Sequence, residues 1–272
     1  MIEILKSVLF GIVEGISEWL PISSTGHMIL LNYFLPLNVS DTFMEMYLVV
    51  IQLGAILAVV LLFWNKLWPF TADASKHFIK KDVWMMWFKI VVACIPAVIV
   101  ELLWGDFIEE AFYNPFVVAV MLIVVGVAFI IVESVKRNTP AKMETLADIT
   151  FTAAFIIGMF QLIAAIFPGT SRSGATIIGA LIIGVSRTAA AEFTFCLAVP
   201  VMFGASFIKL LKFGFAFTGS EIAILLTGCL VSFVVSILVI RFLMGYIRKH
   251  DFKIFGWYRI VLGIVVILSF LV

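Results

Sequence analysis

Hydrophobic residues gather along this chain in long runs. Six stretches, at approximately 43–64, 84–104, 115–135, 190–212, 221–243 and 254–272, each hold about the 20 apolar residues that a helix needs to cross a bilayer. Two further apolar regions are interrupted in the middle. Residues 1–37 break at "PISSTG" and residues 149–186 break at "PGTSRSG". Each half is too short or too interrupted to be an ordinary span. Backbone that leaves the helix at membrane depth is tolerated only where protein buries it or where it lines a wet cavity. The pattern predicts an all-α polytopic membrane protein of six transmembrane helices plus two re-entrant helix-turn-helix elements.

The two broken regions match each other. "GIVEGISEWLPISST" begins at Gly11 and "GMFQLIAAIFPGTSR" begins at Gly158, 147 residues later. At that offset Glu14 falls on Gln161, Pro21 on Pro168, Ser24 on Ser171 and Glu45 on Glu192. We read one integral membrane domain over residues 1–272, with repeat halves of approximately 1–147 and 148–272.

Loop charge sets the expected orientation. Basic residues crowd the 65–83 connection (Lys66, Lys76, Lys80, Lys81, with His77), the 136–148 connection (Lys136, Arg137, Lys142) and the 241–253 connection (Arg241, Arg248, Lys249, Lys253, with His250). The 105–114 connection is acidic, with Asp106, Glu109 and Glu110. The positive-inside rule places the first three in the cytoplasm and the fourth outside. Both termini then lie outside. The first broken element enters from the outside and returns there, and the second does so from the cytoplasm. Three crossings separate the repeats, so one is inverted relative to the other, an arrangement in which two broken tips meet near the midplane.

Composition narrows the class. The chain is 64% apolar and 13% charged, against roughly 45–50% and about 25% in soluble domains. A net charge of +1 gives no reason to expect a nucleic-acid partner. Cys94, Cys196 and Cys229 sit in apolar runs without metal-ligand spacing and read as small hydrophobes. The N-terminus lacks a basic leader and a small-residue cleavage site, so no removable signal peptide is expected.

The chemistry collects at the breaks. Glu14 and Glu18 lie four apart on one helical face. Paired carboxylates within a membrane repel each other, and call for a metal ion, an arginine or a shared proton. Ser23, Ser24 and Thr25 open a half-helix, where hydroxyls cap free N–H groups and phosphate is attracted. His27, three residues after Ser24, suits a base beside a nucleophile, or else a structural hydrogen-bonder. In "PGTSRSGAT", Gly169 and Gly174 allow close backbone approach, Thr170, Ser171, Ser173 and Thr176 offer hydroxyls, and Arg172 supplies a planar fork for phosphate oxygens. The plainer role for Arg172 is to neutralise Glu14 or Glu18 across the repeat interface, and the two roles are compatible. Glu45 and Glu192 are expected to brace the opposite broken loop. Lys89, Glu101, Glu133, Lys209 and Lys212, near span ends, are expected to snorkel.

Taken together, "EGISEWLPISSTGH", "PGTSRSGAT" and "AAEFTFCLAVPVM" resemble the bacterial undecaprenyl-diphosphate phosphatase family associated with bacitracin resistance, and the likeness runs over essentially the whole chain. Trp19 and Ile22 are conservative departures, where Phe and Val are usual. The resemblance implies removal of the terminal phosphate from a C55 polyprenyl diphosphate, which regenerates the monophosphate carrier for cell-wall synthesis. By motif, it implies Glu14 and Glu18 as ligands of a divalent metal, Mg2+ or Ca2+, and catalysis by Glu14, Glu18, Ser24, His27 and Arg172. It implies substrate binding by Ser23, Thr25, Gly169, Thr170, Ser171, Arg172, Ser173 and Thr176. The preferred nucleophile is Ser24 with His27 as its base; attack by His27 itself or by a water on the metal are alternatives. The expected place is the bacterial plasma membrane, with the site facing outward, a polyprenyl diphosphate lipid and the bilayer as partners, and a homodimer allowed. The competing class is a transporter or flippase that carries a polyprenyl phosphate lipid without hydrolysis, since inverted repeats with broken helices also build transporters.

Overall fold

The computed structural model describes residues 1–71, 79–214 and 216–271; Lys76 and His77, like Phe215 and Val272, lie outside the described residues. The regular structure of the described chain is helical, with two isolated bridges, Phe70 with Ile79 and Met143 with Val185, in its connections. All six expected spans are present as apolar helices: Asp41–Leu62, Lys81–Phe112, Pro115–Lys136, Arg187–Phe213, Gly219–Tyr246 and Lys253–Phe270. The first of these is two helices in series, α3 (Asp41–Val50) and α4 (Gln52–Leu62), followed by the short α5 (Trp64–Leu67). The others are α6 (Lys81–Phe112), α7 (Pro115–Lys136), α10 (Arg187–Phe213), α11 (Gly219–Tyr246) and α12 (Lys253–Leu271).

Local chemistry sets where they start. Ser40, Asn114, Thr150, Ser186 and Thr218 each accept a first-turn N–H, and Pro115 occupies the first position of α7, where its missing N–H costs nothing. The acidic 105–114 connection differs from its loop expectation: α6 continues through Phe112 and carries Asp106, Glu109 and Glu110 on its last turns.

Each interrupted region is a pair of helices around a break. α1 (Ile2–Ser17) and α2 (Ser24–Phe34) flank the first, and α8 (Phe151–Ile166) and α9 (Arg172–Ile182) flank the second. The ends of each pair meet. The Asn38 N–H donates to Glu3 Oε2 at 2.8 Å, and Lys6 Nζ donates to the Pro36 carbonyl at 2.5 Å. Around the second pair, Lys142 N–H donates to the Gly184 carbonyl and Ser186 N–H to the Met143 carbonyl, both at 2.8 Å. The first set of bonds thus joins the chain after α2 to the start of α1, and the second joins the chain after α9 to the segment that precedes α8.

Small residues let the broken elements press against long helices, the usual solution where lipid removes the hydrophobic incentive to associate. α1 packs on α11, α8 on α6, and α7 on α12. A Cβ at Gly11 would lie 2.7 Å from the Gly228 carbonyl oxygen, and one at Gly158 would collide with the Ala93 carbonyl. On its outer side α11 presents Leu226, Leu230, Val234 and Leu238, spaced by one turn and exposed as a lipid-facing stripe would be.

Several charged residues behave differently from expectation. Glu45 is exposed on α3, and Glu192 pairs with Lys66 Nζ at 2.6 Å, so neither braces a broken loop. Glu133 and Lys89 are buried and bonded rather than snorkelling: Lys89 Nζ donates to the Ala147 carbonyl at 3.1 Å, and Glu133 is clamped by Arg187. Of the cysteines, Cys196 is buried, while Cys94 and Cys229 are partly so.

Gly158→Val forces α8 off α6, and overpacking of this kind costs about 1–3 kcal/mol. The expected outcome is a lower thermal midpoint in detergent. Gly204→Ala, where an added Cβ meets nothing within 4 Å, should leave that midpoint unchanged.

Candidate active site at the two breaks

Both breaks use the same local device. Ser23 (φ 74°) and Ser171 (φ 67°) are the non-glycine residues with positive φ among those described. Such backbone costs of order 1–3 kcal/mol and persists only where its surroundings over-determine it. Each serine is an N-cap whose Oγ accepts the N–H three residues on, from Gly26 at 3.4 Å and from Gly174 at 3.2 Å. Matching caps lie 148 residues apart, one more than the offset read before the break. The structural counterpart of Ser171 is thus Ser23, and Ser24 stands opposite Arg172.

Those two first-turn residues converge on one carboxylate. Ser24 Oγ donates to Glu18 Oε2 at 2.7 Å, and Arg172 Nη2 donates to Glu18 Oε1 at 2.8 Å. Ser173 Oγ adds a bond to the Glu18 carbonyl at 3.2 Å. Hence the N-termini of α2 and α9 meet, and aligned helix N-termini favour an anion. The ion pair between Arg172 and Glu18, the plainer role named for Arg172, is formed. Both side chains are largely buried, at 15% and 9% exposure.

Polar atoms around this pair are buried with no hydrogen-bond partner among the described residues: Glu14 Oε1, Arg172 Nη1, Thr170 Oγ1 and both side-chain atoms of Gln161. Buried polar groups are ordinarily paired; Trp19 Nε1 and the hydroxyls of Ser232 and Ser236 on α11 are likewise unpartnered, but the unpartnered charged groups are Glu14 and Arg172. A second nitrogen of Arg172 and an oxygen of Glu14 are left to serve something other than the protein.

Two expected partners lie elsewhere. The Ser24–His27 pair is not formed: His27 Nδ1 bonds the Ser23 carbonyl and Nε2 the Tyr258 hydroxyl, each at 2.7 Å. The spacing argument assumed a regular helix through both residues, whereas Ser24 is the first residue after a strained cap and turns toward Glu18. Thr176 is fully buried, its hydroxyl donating to the Arg172 carbonyl at 2.9 Å and meeting Thr194 Oγ1 at 2.9 Å. It ties α9 to α10 and does not face the carboxylates' partners. Ser171 Oγ shares a contact with Ser173 Oγ at 3.1 Å, and Thr25 is partly buried beside its cap.

Glu14 and Glu18 suit a hard divalent ion. Mg2+ commonly takes one or two carboxylates plus phosphate oxygens, and the unpartnered Glu14 oxygen is such a donor. Among the described residues no group of three or more His, Cys, Asp or Glu side chains gathers as a metal site. The remaining ligands would come from a phosphate and water.

Residues 7–265 match the family described as "Bacitracin resistance protein BacA". The chain belongs to the BacA family. The undecaprenyl-diphosphatase of Desulfitobacterium hafniense is 63% identical over 270 residues, covering 99% of this chain and 97% of its own length. That of Enterococcus faecalis is 60% identical over 268 residues, 98% and 97% of the two chains. The undecaprenyl-diphosphatase 1 of Clostridium acetobutylicum is 59% identical over 271 residues, 100% and 98% of the two chains.

One residue of this BacA-family chain escaped the sequence reading. Arg259 on α12 is fully buried and has no acidic partner among the described residues. Its Nη1 donates to the Pro21 carbonyl at 3.2 Å, and its Nη2 to those of Gly169 and Thr170 at 2.7 and 2.9 Å. One guanidinium thus satisfies carbonyls freed by both breaks. The signal was present: an arginine in "GWYRIVLGIVVIL" with no acid within a turn must find its partner elsewhere in the fold.

Arg259→Gln leaves up to three buried carbonyls unpaired, at about 1–3 kcal/mol each. The thermal midpoint in detergent should fall sharply, with part of it recovered in Arg259→Lys. An unchanged midpoint in Arg259→Gln would mean that the two turns hold without this clamp.

Proposed function

We propose that this chain is an undecaprenyl-diphosphate phosphatase of the bacterial cell membrane. It removes the terminal phosphate of undecaprenyl diphosphate to give undecaprenyl phosphate. The reaction recycles the lipid carrier for cell-wall synthesis and leaves the cell resistant to bacitracin. The observation that carries this reading to the residues is the Glu18 carboxylate held between Ser24 and Arg172, with Glu14 and the second Arg172 nitrogen buried and unpartnered beside it.

The two broken elements are re-entrant and belong to an inverted repeat in one membrane domain. Support comes from the paired ends of each element, and from the exchange by which α1 packs on α11 as α8 packs on α6. Gly11 and Gly158, 147 residues apart, each sit where an added Cβ would collide with a carbonyl of the partner helix. The basic connections support an orientation with both termini and the mouth of the first element on the outer side. That is where spent carrier would arrive, its tail in the bilayer and its diphosphate at the helix N-termini.

In this site Arg172 holds the transferring phosphoryl group through Nη1 while Nη2 stays on Glu18. Gly169, Thr170, Ser171, Ser173, Ser23 and Thr25 line the cradle with backbone and hydroxyl donors. Ser24 Oγ attacks the terminal phosphorus, and its proton passes to Glu18 Oε2, the group it already touches. The bond to the bridging oxygen breaks, and the lipid monophosphate leaves. Water then hydrolyses the phosphoserine, restoring Ser24 and releasing inorganic phosphate. His27, tied to the Ser23 carbonyl, holds the strained turn that presents Ser24. Glu14 and Glu18 would hold a Mg2+ or Ca2+ ion, which would supply further charge neutralisation for the phosphoryl group, the largest demand in such a transfer.

Phosphate release from a polyprenyl diphosphate by the purified protein tests these roles. Arg172→Ala should lose about 10³-fold or more in kcat, as removal of an arginine from a phosphoryl-transfer site does. Ser24→Ala and Glu18→Gln should be as severe, and His27→Ala milder than either. Chelation should stop release, and added Mg2+ or Ca2+ should restore it. Full activity of Ser24→Ala would overturn the covalent route. No release by a folded, lipid-binding wild type would overturn the phosphatase and favour carriage of the lipid without hydrolysis.

A further inference from the structure

A second charged feature lies far from the breaks. From Leu122, which Arg259 touches, to Glu133 is roughly 16 Å along α7 at 1.5 Å per residue. There, the last turn of α7, the connection after it, the start of α10 and the end of α11 enclose a cavity of about 320 Å3. Its lining includes Glu133, Lys136, Arg137, Ser186, Arg187 and Arg248. That volume is at the lower end of the range of small-molecule sites.

The charges there are unequal. Glu133, 1% exposed, accepts from Arg187 Nε at 2.9 and 3.1 Å, from Arg187 Nη2, and from the Phe252 N–H at 3.0 Å. This clamp fixes α7, α10 and the α11–α12 connection against one another, and it cancels the charge of Arg187. Lys136, Arg137 and Arg248 remain, none with an acidic partner among the described residues. Lys136 and Arg137 lie at the C-terminus of α7 and Arg248 just past that of α11, where cations gain a little, and all three line the same space.

A second donor set opens onto it. Ser186 caps α10 by accepting the Ala189 N–H on Oγ, and its carbonyl takes the Ala190 N–H. The N–H groups of Arg187 and Thr188 have no carbonyl one turn back in the helix, and both residues line the cavity. Three unpaired cations and the N-terminus of a 27-residue helix thus border one half-open hollow, floored by the largely buried Leu181, Val185 and Ile247. Basic pockets between transmembrane helices are a recurrent way to hold phosphate-bearing headgroups. We propose that this cavity binds the phosphate of an anionic phospholipid headgroup, as a site separate from the one at the breaks. Its place at the ends of three apolar spans, α7, α10 and α11, favours a lipid headgroup over free phosphate.

Native mass spectrometry of the protein, released from mixed phosphatidylglycerol and phosphatidylcholine, reads retained lipid directly. The wild type should keep phosphatidylglycerol in preference to phosphatidylcholine. Lys136→Gln, Arg137→Gln and Arg248→Gln combined should lower that retention by at least about tenfold, since each basic residue at a membrane surface adds several-fold to anionic-lipid affinity. Phosphate release should be unaffected, because none of the three residues is at the breaks. Lys209→Gln with Lys212→Gln, removing charge at the other end of α10, should behave as the wild type. Equal retention in wild type and triple variant would overturn the proposal, as would an equal fall in the control. So would protection of the wild type by inorganic phosphate alone with no preference between the lipids, which would assign the cavity to a soluble anion.

Discussion

The site depends on how two interrupted helices satisfy the groups that their interruption sets free. A helix that stops at membrane depth leaves N–H groups at the new start and carbonyls in the turn, with no water to take them. Here one N–H of each new helix, that of Gly26 or Gly174, goes to Ser23 or Ser171, and the carbonyls of Pro21, Gly169 and Thr170 go to Arg259. Glu18 closes the arrangement from the other direction by accepting from Ser24 and Arg172, the first residues of the two new helices. An acid and a base thus clasp the same pair of turns, one through side chains and one through backbone. The positive φ of both serines is sustainable only inside such a clasp.

The clasp also explains the uneven use of charge. Arg259 spends its guanidinium on carbonyls alone, so it holds the turns without competing for anions. Arg172 commits one nitrogen to Glu18 and leaves the other buried and unpaired, and Glu14 commits none of its partner capacity at Oε1. Structural ion pairs tend toward full satisfaction, because an unsatisfied buried charge is expensive. Partial satisfaction on both an arginine and a carboxylate, at converging helix N-termini, is what the proposed site would use to take a phosphate and a divalent ion together. Either alone would leave the other buried group uncompensated.

Much of this was legible along the chain, and the reason is additive. Six spans and two breaks follow from hydropathy and from Pro, Gly and Ser clusters, signals that sum over many residues and need no tertiary knowledge. Side-chain direction at the breaks is not additive. His27 was placed beside Ser24 by a spacing that holds only within regular helix, and the strained cap at Ser23 turns the two apart, toward Tyr258 and Glu18. Arg259 carries a signal of a different kind: an unpaired arginine inside a span needs a partner, but the sequence does not say which. Only the packing of α12 on α7 shows that it points inward. Glu133 shows the same limit, since near a span end it looks solvated until Arg187 is found against it.

The one-residue shift between the two breaks bears on how they divide their work. With Ser23 set against Ser171, the residues that open the second half-helices are Ser24 and Arg172, and both reach the same carboxylate. A hydroxyl and a guanidinium thus occupy one structural position with opposite chemical uses, one able to form a bond to phosphorus and the other able only to bind it. The carboxylates follow the same split: Glu14 stands against Gln161 and Glu18 against Ala165 before the break, so anionic groups are confined to the first element. Two copies of this anionic half could not share one phosphate, because four carboxylates would repel it. Two copies of the cationic half would hold the phosphate and have neither nucleophile nor base beside it. The chemistry at the breaks therefore requires the two elements to differ at the positions where their common cap would otherwise make them alike.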